Sequence, residues 1–231
     1  MQRKLNRRVE FVQRGSYRET MDLLRLGKLD FAWICDYPYV YLQSQVRLLA
    51  VPLYQGRPYY RAYLIVPAAN LHTTSVLQLR DMVFAYADPY SNTGYLAPRY
   101  ELKRGREDPA RFFRKTFFTW SHRGVVEAVA SGLAHGGSVD SYIWDSLAIV
   151  EPELAAQTRI VSRSPEYGFP PVVAHRTTRQ EDFAAMQQLL LGMAADPEGA
   201  RILKRLNLDG FIPGEPALYN GVAHMMRAFG E

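Results

Sequence analysis

Cysteine is almost missing from this chain: Cys35 is the single one in 231 residues. One cysteine excludes a disulfide within the chain and a cysteine-based zinc cage. No apolar run reaches the ~18–20 residues of a membrane-spanning helix; "AYLIVPAA" and "MQQLLLGMAA" are the longest stretches. The membrane is therefore expected only through a partner. The catalytic signatures G-x-S-x-G and H-E-x-x-H are absent, as are a phosphate-binding P-loop and G-x-G-x-x-G. The five histidines (72, 122, 135, 175 and 224) show no metal-ligand spacing. No metal, no cofactor and no enzymatic activity are expected. Zinc-finger, RNP and basic-zipper patterns are also lacking, and the basic residues are scattered, so no nucleic-acid partner is expected. Internal repeats and low-complexity tracts do not occur.

The composition is that of a globular chain, 48% hydrophobic and 22% charged. Its length suits one large domain or two lobes. The net charge of +5 fits an anionic ligand, and it fits equally a surface with surplus arginine. Met1 leads into "QRKLNRRVEFVQRGSY", which has a basic start but no apolar core of a secretory signal. Taken literally, that start reads as cytoplasmic.

Strand-like and helix-like segments alternate along the chain. "RVEFVQ" alternates as a strand. "SYRETMDLLRLGK" reads as a helix, with Ser16 as N-cap, Glu19 completing a capping box and Gly27 as the stop. "LDFAWI", "VRLLAVPLYQ", "RAYLIVP" and "MVFAYAD" read as strands, with a short helix at "YPYVYLQSQ" and another at "SVLQLRD". A helix is expected from Thr93 to about Lys103, another over "DPARFFRKTF", and a strand at "FTWS". "HRGVVEAVASGLAH" is an amphipathic helix, "GGSVDS" a very short strand and "YIWDSLAIVEP" a helix. The strands "TRIVSRS" and "PPVVAHR" then precede three C-terminal helical segments. Strands separated by helices of ~10–15 residues predict an α/β fold with a mainly parallel sheet. The expected division is residues 1–64 plus 173–231 for a first lobe and 65–172 for a second.

One stretch stands out. "DPYSNTGYLAPRYEL" places Ser91, Asn92, Thr93 and Gly94 directly after a strand and before a helix. Open α/β sheets bind ligands at the C-terminal ends of their strands. A helix start exposes unpaired N–H groups and about half a positive charge. Small residues there let an anion approach the backbone. A helix cap with nothing bound explains the same residues, and taken locally it is the commoner case.

Several segments then carry a resemblance. "GKLDFAWICDYPYV", "LYQGRPYYRAYLIVP", "LRDMVFAYADPYSNTGYLAPRYEL", "TWSHRGVVEAVASGLAHGGSVDSYIWDSLA", "RIVSRSPEYGFPPVVAHR" and "ILKRLNLDGFIPGEPALYNGV" follow the order seen in one family. These segments resemble the PhnD-like phosphate-, phosphite- and phosphonate-binding receptors of ABC transporters. The resemblance covers nearly the whole chain and implies a two-lobed type 2 periplasmic-binding fold that closes about hinge crossover strands. It implies a monomer in the periplasm whose partners are a small oxyanion and a transporter permease. The alternative it leaves is a periplasmic sensor of arsenite or another oxyanion, feeding a histidine kinase. Set against the family, the chain reads as lacking a first βα unit.

The resemblance turns the balance at the Ser91–Gly94 stretch toward an anion site. Ser91 and Thr93 would supply hydroxyls there, and Asn92 and Gly94 backbone N–H groups. His122 would contact the oxyanion, with Ser121 capping or assisting and Arg123 adding charge. Asp140 would accept the O–H of a protonated ligand or bind an amino group; the equal reading is an N-cap for the following helix. Glu166 would lie on the return crossover. From the first lobe, Tyr39 or Tyr37 would reach the ligand. Cys35 is either a small buried residue at a strand end or a thiolate for a soft metalloid.

Overall fold

The structure is a computed structural model describing residues 1–230. Helix α1 (Gln2–Leu5) opens the chain. The next segment departs from expectation. Residues 8–13, which alternate like a strand, are irregular, and Phe11 is 78% exposed. A strand needs a neighbour for its backbone N–H and C=O groups, and none of the described strands pairs with this one. Helix α2 (Tyr17–Arg25) starts where the sequence indicates. Ser16 Oγ accepts the Glu19 N–H at 3.3 Å, the Glu19 carboxylate reaches back to the Gly15 N–H at 2.9 Å, and Gly27 follows at φ +64°.

Strand β1 (Phe31–Trp33), helix α3 (Asp36–Tyr41) and strand β2 (Val46–Leu53) come next, then the two-residue β3 (Tyr59–Tyr60) and β4 (Ala62–Pro67). A 3-10 turn at Val76–Leu79 precedes β5 (Val83–Tyr86) and helix α4 (Ala97–Arg104). The helix expected over "DPARFFRKTF" is not there. Turns lead instead into strand β6 (Lys115–Phe118). Tertiary packing overrides local propensity here. Adjacent Phe112 and Phe113 are both buried, and Phe113 stacks on Phe84 with ring centroids 4.3 Å apart. Lys115 through Phe118 then pair in parallel with β5. The strand expected at "FTWS" therefore lies slightly earlier.

Helix α5 (His122–Ala130), strand β7 (Gly136–Asp140), helices α6 (Ser141–Val150) and α7 (Pro152–Ala155) and strand β8 (Thr158–Arg163) follow. The chain ends with β9 (Tyr167–Gly168), β10 (Val172–His175), α8 (Gln180–Leu191), α9 (Pro197–Arg205), β11 (Gly210–Pro213) and α10 (Asn220–Arg227).

Two compact units emerge. One holds Met1–Tyr59 and Tyr167–Gly221; the other holds Tyr60–Glu166 with the residues from Val222 on. The chain changes unit at Tyr59/Tyr60 and Glu166/Tyr167, where 64/65 and 172/173 were expected, and once more at Gly221/Val222. The last helix, expected in the first lobe, belongs almost entirely to the second unit. Its residues Met225 and Met226 are buried.

The expectation of mainly parallel sheets also needs correction. In the first unit the order is β1-β10-β2-β11, and every pairing is antiparallel. The returning strand β10 lies between β1 and β2, which helix α3 joins. In the second unit the order is β6-β5-β7-β4-β8; β5 pairs in parallel with β6 and β7, while β4 is antiparallel to β7 and β8. The chain enters this unit on β4 and leaves on the neighbouring β8, so the two run in opposite directions. The sheet is covered on both faces. Tyr63, Ile65 and Ala85 face one apolar cluster with Val125 and Val129 of α5; Leu64, Val66 and Phe84 face another with Leu102 of α4. Alternation along β4 and β5 thus splits their residues between two cores.

Candidate functional site

The stretch after β5 is a wide turn rather than the start of a regular helix. Asn92–Leu96 forms a π-turn in which the Leu96 N–H donates to the Ser91 carbonyl at 3.0 Å. Such five-residue turns are rare and occur frequently at functional sites. Its foot is fixed by Asp88, whose Oδ1 accepts the Tyr90 N–H at 2.8 Å and whose carbonyl accepts the Ser91 N–H at 2.9 Å. Ser91 Oγ accepts the Gly94 N–H at 3.0 Å. This corrects one expectation: the Gly94 N–H is spent on the turn itself. Glycine is required there for space. A Cβ would stand 2.4 Å from Ala87 Cβ and 3.0 Å from both His122 Cε1 and Ser91 Oγ.

Ser91, Asn92 and Thr93 carry no exposed surface. The Thr93 carbonyl accepts from Ser138 Oγ at 2.5 Å, which pins the turn to β7. The Thr93 hydroxyl Oγ1 is buried and has no hydrogen-bond partner among the described residues. Leaving a buried hydroxyl unbonded costs about 1–3 kcal/mol, which sets this group apart from the satisfied polar atoms around it. The Asn92 side-chain amide donates to the Tyr60 hydroxyl at 3.4 Å.

His122 opens α5, where Ser121 caps the helix by accepting the Gly124 N–H at 2.9 Å. Close packing of α5 on β7 is possible because Gly137 has no side chain: a Cβ would lie 2.4 Å from Val125 Cγ1. The ring sits between two partners. Its Nδ1 accepts the Asp140 N–H at 3.1 Å, and its Nε2 lies 3.4 Å from Ser91 Oγ. A backbone N–H can only donate, so Nδ1 is the unprotonated nitrogen and the neutral ring carries its proton on Nε2. Burial lowers the pKa of His122 to about 4. The site thus presents neutral donors toward Ser91.

Asp140 serves as a helix cap. Its Oδ1 caps α6, accepting the Tyr142 N–H at 2.8 Å and the Ile143 N–H at 3.4 Å. Arg123 is held at the surface by Glu127 and Glu151. Glu166 accepts from Arg61 at 3.0 Å. Sequence reasoning missed two neighbours of the turn, Tyr60 and Ser138. Both reach it by long-range contacts that no local pattern announces.

Cys35, Tyr37 and Tyr39 belong to the first unit and are buried. The Cys35 thiol donates to Asp36 Oδ1 at 3.0 Å, and the Tyr39 ring packs on Tyr219 at 4.6 Å. Among the described residues, no group of three or more His, Cys, Asp or Glu side chains is arranged to hold a metal. Two surface hollows, one beside Ala194–Asp209 and one beside Asp22 and Gln45, include none of the residues named above.

Over residues 1–219 the chain matches the family profile described as "ABC transporter, phosphonate, periplasmic substrate-binding protein". The phosphonates-binding periplasmic protein of Escherichia coli (strain K12) is 24% identical over 214 residues, which are 89% of this chain and 62% of that protein. The chain therefore spans less than two thirds of that relative's length. Among solved structures, a binding-protein component of an ABC phosphonate transporter from Pseudomonas aeruginosa superposes with a TM-score of 0.89 at 21% identity, over 97% of this chain and 76% of that one. PhnD1 from Prochlorococcus marinus (MIT 9301), in complex with methylphosphonate, gives 0.89 at 19% identity, over 99% and 89%.

Proposed function

Since the chain belongs to the family of periplasmic substrate-binding proteins of phosphonate ABC transporters, we propose that it is a receptor that captures a small oxyanion. Phosphate, phosphite or a phosphonate would be the cargo, received in the periplasm and passed to a transporter permease. The observation that carries this reading is the buried, unpartnered Thr93 hydroxyl, on a wide turn at a helix start and one residue from Asn92. Around it, the Ser91 hydroxyl and the Asn92 side-chain amide supply donors for an oxyanion's oxygens, and the Nε2–H of His122, 3.4 Å from Ser91 Oγ, would be shared between Ser91 and the anion. Leading amides and the α4 dipole favour negative charge at the same place.

The receptor does no chemistry on its cargo. A serine nucleophile needs a base to take its proton. Here Nδ1 is occupied by a backbone N–H rather than oriented by a carboxylate, and Nε2 already bears the proton. His122 therefore donates toward Ser91 and does not deprotonate it. Because Ser91, Asn92 and Thr93 are closed to solvent, loading and release require the turn to become accessible.

The test is a thermal-shift and calorimetric screen of the whole chain against phosphate, phosphite, methylphosphonate, sulfate and arsenite. A ligand at a hundred times its Kd adds about 2.7 kcal/mol of stability. A response to one of the phosphorus oxyanions supports the reading. A response to arsenite alone would favour a sensor built on Cys35, and no response to any of them would overturn the receptor reading.

A further inference from the structure

A cation–aromatic stack runs through the second unit, past the donor turn, and ends on the chain's C-terminal segment. Its inner member is Tyr95, which lies within the π-turn itself. The Tyr95 ring meets Phe118 at 5.4 Å, and Phe118 meets Trp120 at 5.8 Å. On the other side the Arg99 guanidinium lies 4.4 Å from the Tyr95 ring centre and 4.5 Å from that of Phe229. Arg99 is thus held between two aromatic faces. The Phe229 end is fastened separately. Lys103 Nζ lies 4.8 Å over the Phe229 ring and donates to the Ala228 carbonyl, and Tyr100 OH pairs with His224 Nε2 at 3.1 Å.

Two members of the stack, Tyr95 and Trp120, sit beside donor-bearing turns. Tyr95 follows Gly94 directly. Trp120 precedes Ser121 and His122, and it holds φ at +62°, a left-handed conformation that bulky side chains rarely adopt. Strained backbone persists only where its surroundings over-determine it. The contact of its ring with Phe118, tilted at 37°, is such a surrounding, since Trp120 is otherwise 53% exposed.

We propose that the stack Trp120–Phe118–Tyr95–Arg99–Phe229 positions the two donor turns, with the C-terminal segment as its outer clamp. Phe229 acts through Arg99 on Tyr95, and Tyr95 holds the Ser91–Gly94 turn at the distance from His122 that the site needs. These are positioning residues; none of them is assigned a contact with the anion. Only the binding arm of the test rests on the receptor reading above.

The test compares the full chain with Phe229→Ala and Phe229→Tyr. Hydrogen exchange is followed at the amides of Leu96 and Ala97, which bond to the Ser91 and Asn92 carbonyls, and at Val51 in β2 as a control. Phe229→Ala is expected to speed exchange at Leu96 and Ala97 about tenfold (about 1.4 kcal/mol) and to leave Val51 unchanged. Phe229→Tyr, which keeps an aromatic face, restores protection. Titration with inorganic phosphate and methylphosphonate is expected to show the same order, with about tenfold weaker binding for the alanine variant only. Unchanged exchange at the turn, or equal acceleration at all three amides, overturns the proposal. If the wild-type chain binds neither probe, the receptor reading fails, while the exchange result still decides for or against the stack.

Discussion

The backbone N–H of Asp140 donates to Nδ1 of His122 at 3.1 Å. That one bond fixes the tautomer and aims the Nε2–H at Ser91. It also ties the ring to the residue whose carboxylate caps the next helix.

A pH dependence follows. In the unfolded chain a histidine titrates near 6.5, whereas burial holds His122 at about 4 in the fold. The unfolded state therefore takes up its proton first as pH falls. The contribution is fully present above about 6.5 and is lost as pH drops through about 4, to a total of roughly 3 kcal/mol. Urea unfolding between pH 7 and 4 should show that decline, and His122→Asn should flatten it. A bound anion favours the imidazolium, so saturating phosphate should shrink the loss.

Thr93→Val replaces the orphan hydroxyl by a methyl group of similar size. The ligand-free variant is expected to be as stable as the wild type, or more stable by about 1 kcal/mol, because a buried unpaired hydroxyl is removed. Oxyanion affinity is expected to fall by at least tenfold. Opposite movement of the two quantities, read by denaturant titration and calorimetry, distinguishes a binding hydroxyl from a structural one.

Gly94→Ala forces a Cβ to 2.4 Å from that of Ala87. The turn must shift away from β5 and His122, and overpacking of this kind costs about 1–3 kcal/mol. The midpoint of urea unfolding should fall accordingly, and phosphate should no longer raise it.

Asp140→Ala removes the cap of α6, at a cost of about 0.5–2 kcal/mol. Asp140→Asn keeps an acceptor for the Tyr142 N–H and should recover most of that loss. If the carboxylate serves only as a cap, both variants keep the wild-type order of preference among phosphate, phosphite and methylphosphonate in competition titrations.

Local signals carried much of this architecture. Ser16, Glu19 and Gly27 delimit α2 as their chemistry requires, and Ser91, Gly94 and His122 lie together as their places at strand ends suggested. Readings failed where distant contacts outweighed local pattern. Phe112 and Phe113 reject a helix because the core takes both rings. Residues 8–13 alternate but have no pairing strand. Strand direction depends on where the chain changes unit, which spacing cannot reveal. Within the site, the role of Gly94 was misread because a glycine's missing side chain matters through its neighbours. Tyr60 and Ser138 were invisible for the same reason: their partners lie 32 and 45 residues away.

The pairing of β1 with β10 and of β2 with β11 also sets an order of events during synthesis. The first 59 residues emerge early, yet their sheet is complete only when residues 172–213 arrive. Meanwhile Tyr60–Glu166 holds all five strands of its own sheet and can collapse first. For that interval the apolar strand β2 waits without neighbours, and in that window a nascent chain of this topology is most prone to aggregate.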